Sequence, residues 1–152
     1  MLTLLKVVFA LAVTVFVGDI LLMLVWKLGA ERTRDPRVAL FAIRTVTKTD
    51  NFLLGPSAVL TAISGNLLAP QLGVNIYATP TLSIAMAAFI LSGIVWSLFL
   101  IPTQKKQLKV CAEVGDHQDL PEHYFQLAAR WQTWGYVAAV LVELALILVA
   151  IS

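Results

Sequence analysis

The sequence predicts an all-α protein, a four-transmembrane-helix bundle with both termini on the outer side, formed by one integral membrane domain over residues 1–152. Three observations predict it. A chain that is 59% hydrophobic and 13% charged suits lipid as its solvent, because soluble domains carry about 25% charged residues. Its apolar residues fall into four runs, each near the roughly 20 residues that cross a hydrocarbon core. Lys and Arg gather in the first and third connections and are missing from the second, the asymmetry that fixes membrane orientation.

The first span runs from about 2 to 28, with only Lys6, Asp19 and the terminal Lys27 charged. Lys6 and the small residues Ala10 and Ala12 imitate a signal peptide. The apolar run continues through Trp26, however, which predicts an uncleaved helix. The next connection, 29–49, is strongly basic. Asp35-Pro36 reads there as a helix cap and first-turn proline, so 37–49 is predicted as a helical lead-in. At about 100° per residue, Arg37, Phe41, Arg44 and Lys48 share one stripe of that helix, suited to anionic lipid headgroups. Ala39, Ile43, Val46 and Asp50 share the opposite stripe.

The second span, about 50–69, contains Gly55-Pro56, which predicts a bend. After an uncharged connection, Thr79-Pro80 opens a third span, about 81–101, and Pro102 closes it. A polar segment, 102–122, ends in Asp119-Leu-Pro-Glu122, spaced as a capping box, and leads to a fourth span, about 123–152. The first connection, counted with flanking Lys27, holds Arg32, Arg34, Arg37, Arg44 and Lys48, and the third holds Lys105, Lys106 and Lys109. Both loops are therefore expected in the cytoplasm of a bacterial cell, with the chain multi-pass in the inner membrane.

An ionisable residue inside a span costs about 2.5–3.5 kcal/mol at mid-helix, so each needs a partner or water. Asp19 shares a stripe with Ala12, Phe16, Met23 and Trp26 and is expected to face the bundle interior. Asp50 either caps the second span or, on an unbroken helix, turns inward as well. Glu143 lies about nine residues from the C-terminus, some 13 Å deep at about 1.5 Å per residue. Lys6 lies close enough to the outer end of its helix to snorkel, or else pairs with Glu143 across the first and fourth helices, with a neutral Glu143 as the alternative. Arg130, in the run Arg130-Trp-Gln-Thr-Trp-Gly135, is expected to meet Asp50 or Asp19. Small residues, Ser57, Thr61 and Ser64 on the second helix and Ala88, Ser92, Gly93 and Ser97 on the third, suit close helix packing in lipid.

Several functions are excluded or left without residues to carry them. The lysines and arginines sit in short connections and form no footprint for nucleic acid. Cys111 is the single cysteine, so no disulfide can form within the chain. The segment from Cys111 to His123 collects a thiol, four acids and two histidines, but the spacing fits no zinc pattern. No catalytic triad, phosphate loop or HExxH signature occurs, so no residue is assigned to catalysis or to a metal.

Lys6-(x)11-Gly18-Asp19, then Glu31-Arg-Thr-Arg-Asp-Pro-Arg37 and Thr49-Asp50, then Tyr124-(x)5-Arg130-Trp-(x)2-Trp-Gly135 resemble a group of small bacterial four-helix predicted integral membrane proteins of unknown function. More distantly, they resemble membrane-bound haem-containing protoporphyrinogen oxidases and CopD-type copper-resistance proteins. The resemblance implies a four-helix fold and, through the distant relatives, haem as a cofactor. Members of the group often read Lys-x-x-His early in the first helix, whereas this chain has Phe9 there. Imidazole ligation would then fall to His123, or thioether ligation to Met23 or Met86.

The expected function is that of a non-catalytic membrane protein acting through helix or lipid contacts, without a cofactor, whose partner is the bilayer and which has room for a homodimer or a membrane-protein partner. The alternatives are a haem-dependent oxidoreductase and a proton or small-solute pathway using Asp19 and Glu143.

Overall fold

A computed structural model describes residues 1–114 and 119–152, and every described element is a helix. α1 spans Leu2–Arg32, α2 Pro36–Thr49, α3 Gly55–Gln71, α4 Pro80–Val95, α5 Ile101–Glu113 and α6 Glu122–Ala150. A π turn, Asp50–Leu54, joins α2 to α3, and a second, Trp96–Leu100, joins α4 to α5. Among the described residues there are therefore four continuous helical units long and apolar enough to cross a membrane: Leu2–Arg32, Pro36–Gln71, Pro80–Glu113 and Glu122–Ala150. Connection 33–35 and the described residues 114 and 119–121 lie at one end, called here the basic end. Both termini and connection 72–79 lie at the other.

The two π turns have one cause. Each is followed by a residue and then a proline, Gly55-Pro56 and Ile101-Pro102. A proline inside an α-helix removes a hydrogen bond and presses its ring against the preceding turn. Widening that turn to a π turn removes the conflict, and the helix continues. A Cβ at Gly55 would stand 3.2 Å from the Asp50 carbonyl oxygen, a tight approach that glycine avoids in the first turn, whereas Ile101 holds the equivalent place in the second. Pro102 consequently does not end the third span. The helix runs on to Glu113, and the first half of the polar segment is helical.

α2 follows its predicted periodicity. Asp35 Oδ1 accepts from the Arg37 N–H at 2.8 Å, Pro36 occupies the first turn, and Ala39, Ile43 and Val46 are buried. The capping box expected at Asp119 is not formed. Pro121, held extended, precedes the first helical residue, Glu122, whose charge suits the positive end of the helix.

α1 packs along α3, and α4 along α6, while α1 also touches α6. The α4 and α6 contact uses the small residues Ala85, Ala88 and Ala145, and Ser92 Oγ donates to the Ala138 carbonyl at 3.0 Å, the close approach that helices in lipid require. Phe16, Met23, Leu24, Val95, Leu100, Trp131 and Val142 fill the centre. On the fourth side, α3 and α4 stand apart, with no pair of their Cα atoms within 8 Å. The second and third helical units therefore meet through α2 and α5 at the basic end and part between α3 and α4, which leaves a slot there.

Candidate functional site

The inward line of α1 is Ala12, Phe16, Asp19, Met23, Lys27 and Glu31. It drifts away from the expected stripe, so that Trp26 is exposed and Lys27 takes its place in the core. Lys27 is 1% exposed and Glu31 7%, and the two form an ion pair one turn apart. α5 brings Gln107 Nε2 to 3.5 Å from Glu31 Oε1, and α6 brings Gln132 Nε2 to 2.5 Å from Glu31 Oε2. The Lys27 ammonium stands 4.6 Å from the centre of the Trp131 ring, a cation–π contact in a water-poor place. Tyr124 and Cys111, both buried, lie close enough to act on this pair electrostatically. Sequence reasoning passed over the pair, because Lys27 and Glu31 read as the start of a basic loop.

Towards the middle of the bundle lies a second polar group. Asp50, the first residue of its π turn, is buried, and its Oδ2 accepts from Gln104 Nε2 at 2.6 Å. Trp96, the first residue of the other π turn, directs its indole N–H towards the same carboxyl without completing a bond of good geometry. Asp19, also buried, is near enough to Asp50 to act on it electrostatically. Gln104, Gln107 and Cys111 lie on the buried face of α5 and connect the two groups.

The expected partners of these acids are elsewhere. The inward stripe of α6 is Tyr124, Leu127, Ala128, Trp131, Gly135, Ala138, Val142 and Ala145. Arg130 and Glu143 each fall one residue, about 100°, off that stripe, and both are exposed. Lys6 is exposed on α1. Among the described residues no ion pair joins Lys6 to Glu143, or Arg130 to Asp19 or Asp50. Depth in the membrane was the wrong criterion for these side chains; the face of the helix decides. Arg44 and Lys48 are exposed on α2, as is Arg37, which has an interaction of its own.

Of the haem-ligand candidates, His123 is exposed at the basic end, Met23 is packed in the core and Met86 lines the slot. His117 lies outside the described residues. No group of three His, Cys, Asp or Glu side chains among the described residues is arranged to hold a metal ion.

The slot between α3 and α4 is the larger of two cavities of note, about 270 Å³. Phe9, Phe16 and Leu146 form its floor, α3 supplies Thr61, Gly65 and Asn66, and α4 supplies Met86 and Phe89. Its volume is near the roughly 300 Å³ at which small-molecule pockets begin. The second cavity, about 100 Å³, lies deeper, between Met23, Trp96 and Trp131.

A family described as a predicted integral membrane protein (DUF2269) matches residues 3–151. No curated protein and no solved structure matches the chain, so the likeness to protoporphyrinogen oxidases and CopD-type proteins gains no support.

Proposed function

The chain belongs to the DUF2269 family of predicted integral membrane proteins, and from that premise we propose that it works without catalysis, by holding the apolar chain of a membrane lipid in the slot between α3 and α4. The observation that carries this reading is the gap between α3 and α4. The slot opens sideways, where a bilayer would lie, and its walls are aromatic and aliphatic except for Thr61, Asn66 and Ser152. An apolar chain entering from the bilayer exchanges one hydrocarbon surrounding for another, so affinity rests on packing and on those polar groups. Thr61 Oγ1 is buried without a partner and is available to the polar end of such a molecule.

Native mass spectrometry of the gently solubilised protein is expected to show bound lipid. Gly65→Phe is expected to remove it, because even a Cβ at Gly65 would come within 3.1 Å of the Phe9 ring and crowd the slot. Lipid retained equally by the variant, or no adduct on the native protein, would sink the proposal. Stoichiometric haem in the visible spectrum would sink it in favour of the oxidoreductase.

In this reading the basic end faces the cytoplasm of a bacterial inner membrane, on the asymmetry of Lys and Arg. Tyr77 and Lys109, both 78% exposed, mark the two ends, and the native Cys111 is buried. A membrane-impermeant thiol reagent added to whole spheroplasts is therefore expected to label Tyr77→Cys and to spare Lys109→Cys. The opposite pattern would invert the topology.

A further inference from the structure

Six buried side-chain atoms among the described residues have no hydrogen-bond partner: Asp19 Oδ2, Asp50 Oδ1, Thr61 Oγ1, Trp96 Nε1, Gln107 Oε1 and Trp131 Nε1. Thr61 belongs to the slot. The other five lie between the middle of the bundle and its basic end, along the inward faces of α1, α5, α6 and the two π turns. Protein interiors satisfy nearly all such atoms, with protein or with water. A run of unsatisfied atoms around two carboxyls points to a small mobile species.

We propose that Asp19 and Asp50 form a proton-binding site in the middle of the bundle, reached from the basic end along Glu31, Gln107 and Gln104. This goes beyond the lipid slot and does not depend on its occupant.

The two acids are unequal. Asp50 has one completed donor, Gln104 Nε2 at 2.6 Å from its Oδ2, while its Oδ1 and the indole N–H of Trp96 that faces it are unpartnered. Among the described residues Asp19 has neither a donor nor a cation. Lys27, on the same face of α1, is two turns away and engaged with Glu31. Two carboxyls in reach of each other, away from water and without a counter-charge, do not both stay ionised. One carboxyl of the pair therefore carries a proton while the other carries the charge.

Among the described residues no other ionisable group intervenes. α3 and α4 contain none. Arg44 and Lys48 on α2, and Arg130, Tyr136 and Glu143 on α6, are exposed, while Glu31, Cys111 and Tyr124 surround Lys27 nearer the basic end. The exchange itself is simple. A hydronium at the basic end gives up its proton, breaking its own O–H bond as one forms on the acid pair, and release breaks that bond and returns the proton to water.

Gln104 and Gln107 stand one turn apart on α5, 3% and 0% exposed. Gln107 Nε2 reaches Glu31, its Oε1 is free to accept, and Gln104 holds Asp50. Waters between these groups would satisfy the unpartnered oxygens and complete the route.

Infrared difference spectroscopy of the lipid-reconstituted protein tests this. A protonated carboxyl band that shifts in D2O is expected. It should be lost or change frequency in Asp19→Asn and in Asp50→Asn, and persist unchanged in Glu143→Gln. Gln107→Leu should keep the band and slow its D2O shift several-fold. If Asp19→Asn does not fold, Asp19→Glu is expected to fold with the band displaced. A band that is missing from the native protein, or insensitive to both Asp19 substitutions, overturns the site. An unchanged exchange rate in Gln107→Leu overturns the route.

Discussion

Replacing Lys27 by Met is expected to destabilise the protein by about 3–5 kcal/mol, the usual cost of removing one member of a buried ion pair. The reason is what the change leaves behind. Glu31, 7% exposed, would keep its charge with only the amides of Gln107 and Gln132 to meet it, and two neutral donors do not replace an ammonium. Desolvation of the carboxylate, already complete in the folded bundle, would then stand uncompensated. Replacing both residues, Lys27→Met with Glu31→Leu, is expected to recover most of the loss, because buried ion pairs exchanged for apolar side chains of like volume are often neutral. Thermal melting in one fixed detergent measures both. A single variant that melts with the native protein would show that the pair does not hold α1 against α5 and α6.

The same pair shows where the sequence was legible and where it was not. Span positions follow from runs of apolar residues, and the amphipathic α2 follows from its stripe of Ala39, Ile43 and Val46, because both are properties of one helix. Lys27 and Glu31 are hidden by the same rule. Paired and bonded to amides on two other helices, they are a core whose composition is that of a loop, so hydropathy ended the first span about four residues early. Arg130 and Glu143 fail for the opposite reason. Their depth along α6 was readable, but the face that α6 turns inward follows from its packing, with Gly135 beside Leu24 of α1 and Ala138 beneath Ser92 of α4. Those contacts involve three helices at once. Pro56 and Pro102 signalled interruptions, yet whether a proline ends a helix or is absorbed by a π turn depends on what the widened turn can face. Here the two turns place Asp50 and Trp96 opposite each other.

Tryptophan substitutions are expected to separate the structural centre of the bundle from its periphery, with Trp131→Ala costing about 3–5 kcal/mol, the range for emptying a large aromatic from a core. Trp131 is 2% exposed and forms one wall of the 100 Å³ cavity. Its removal would therefore enlarge an existing void that the surrounding Leu24, Leu100 and Ala138 are already too far apart to close. It would also withdraw the ring face from the Lys27 ammonium, 4.6 Å away. Trp134 is stacked on Phe99 at 4.0 Å but only half-buried, so Trp134→Ala is expected to lose about 0.5–1.5 kcal/mol of ring pairing plus the area it covers. Trp26, 55% exposed, is expected to change melting by less than about 0.5 kcal/mol. Because Trp131 and Lys27 touch, Trp131→Ala combined with Lys27→Met is expected to cost less than the sum of the two changes. Additive losses would mean that the ring packs the core without stabilising the charge, and Trp26 and Trp131 costing the same would mean that α6 turns a different face inward.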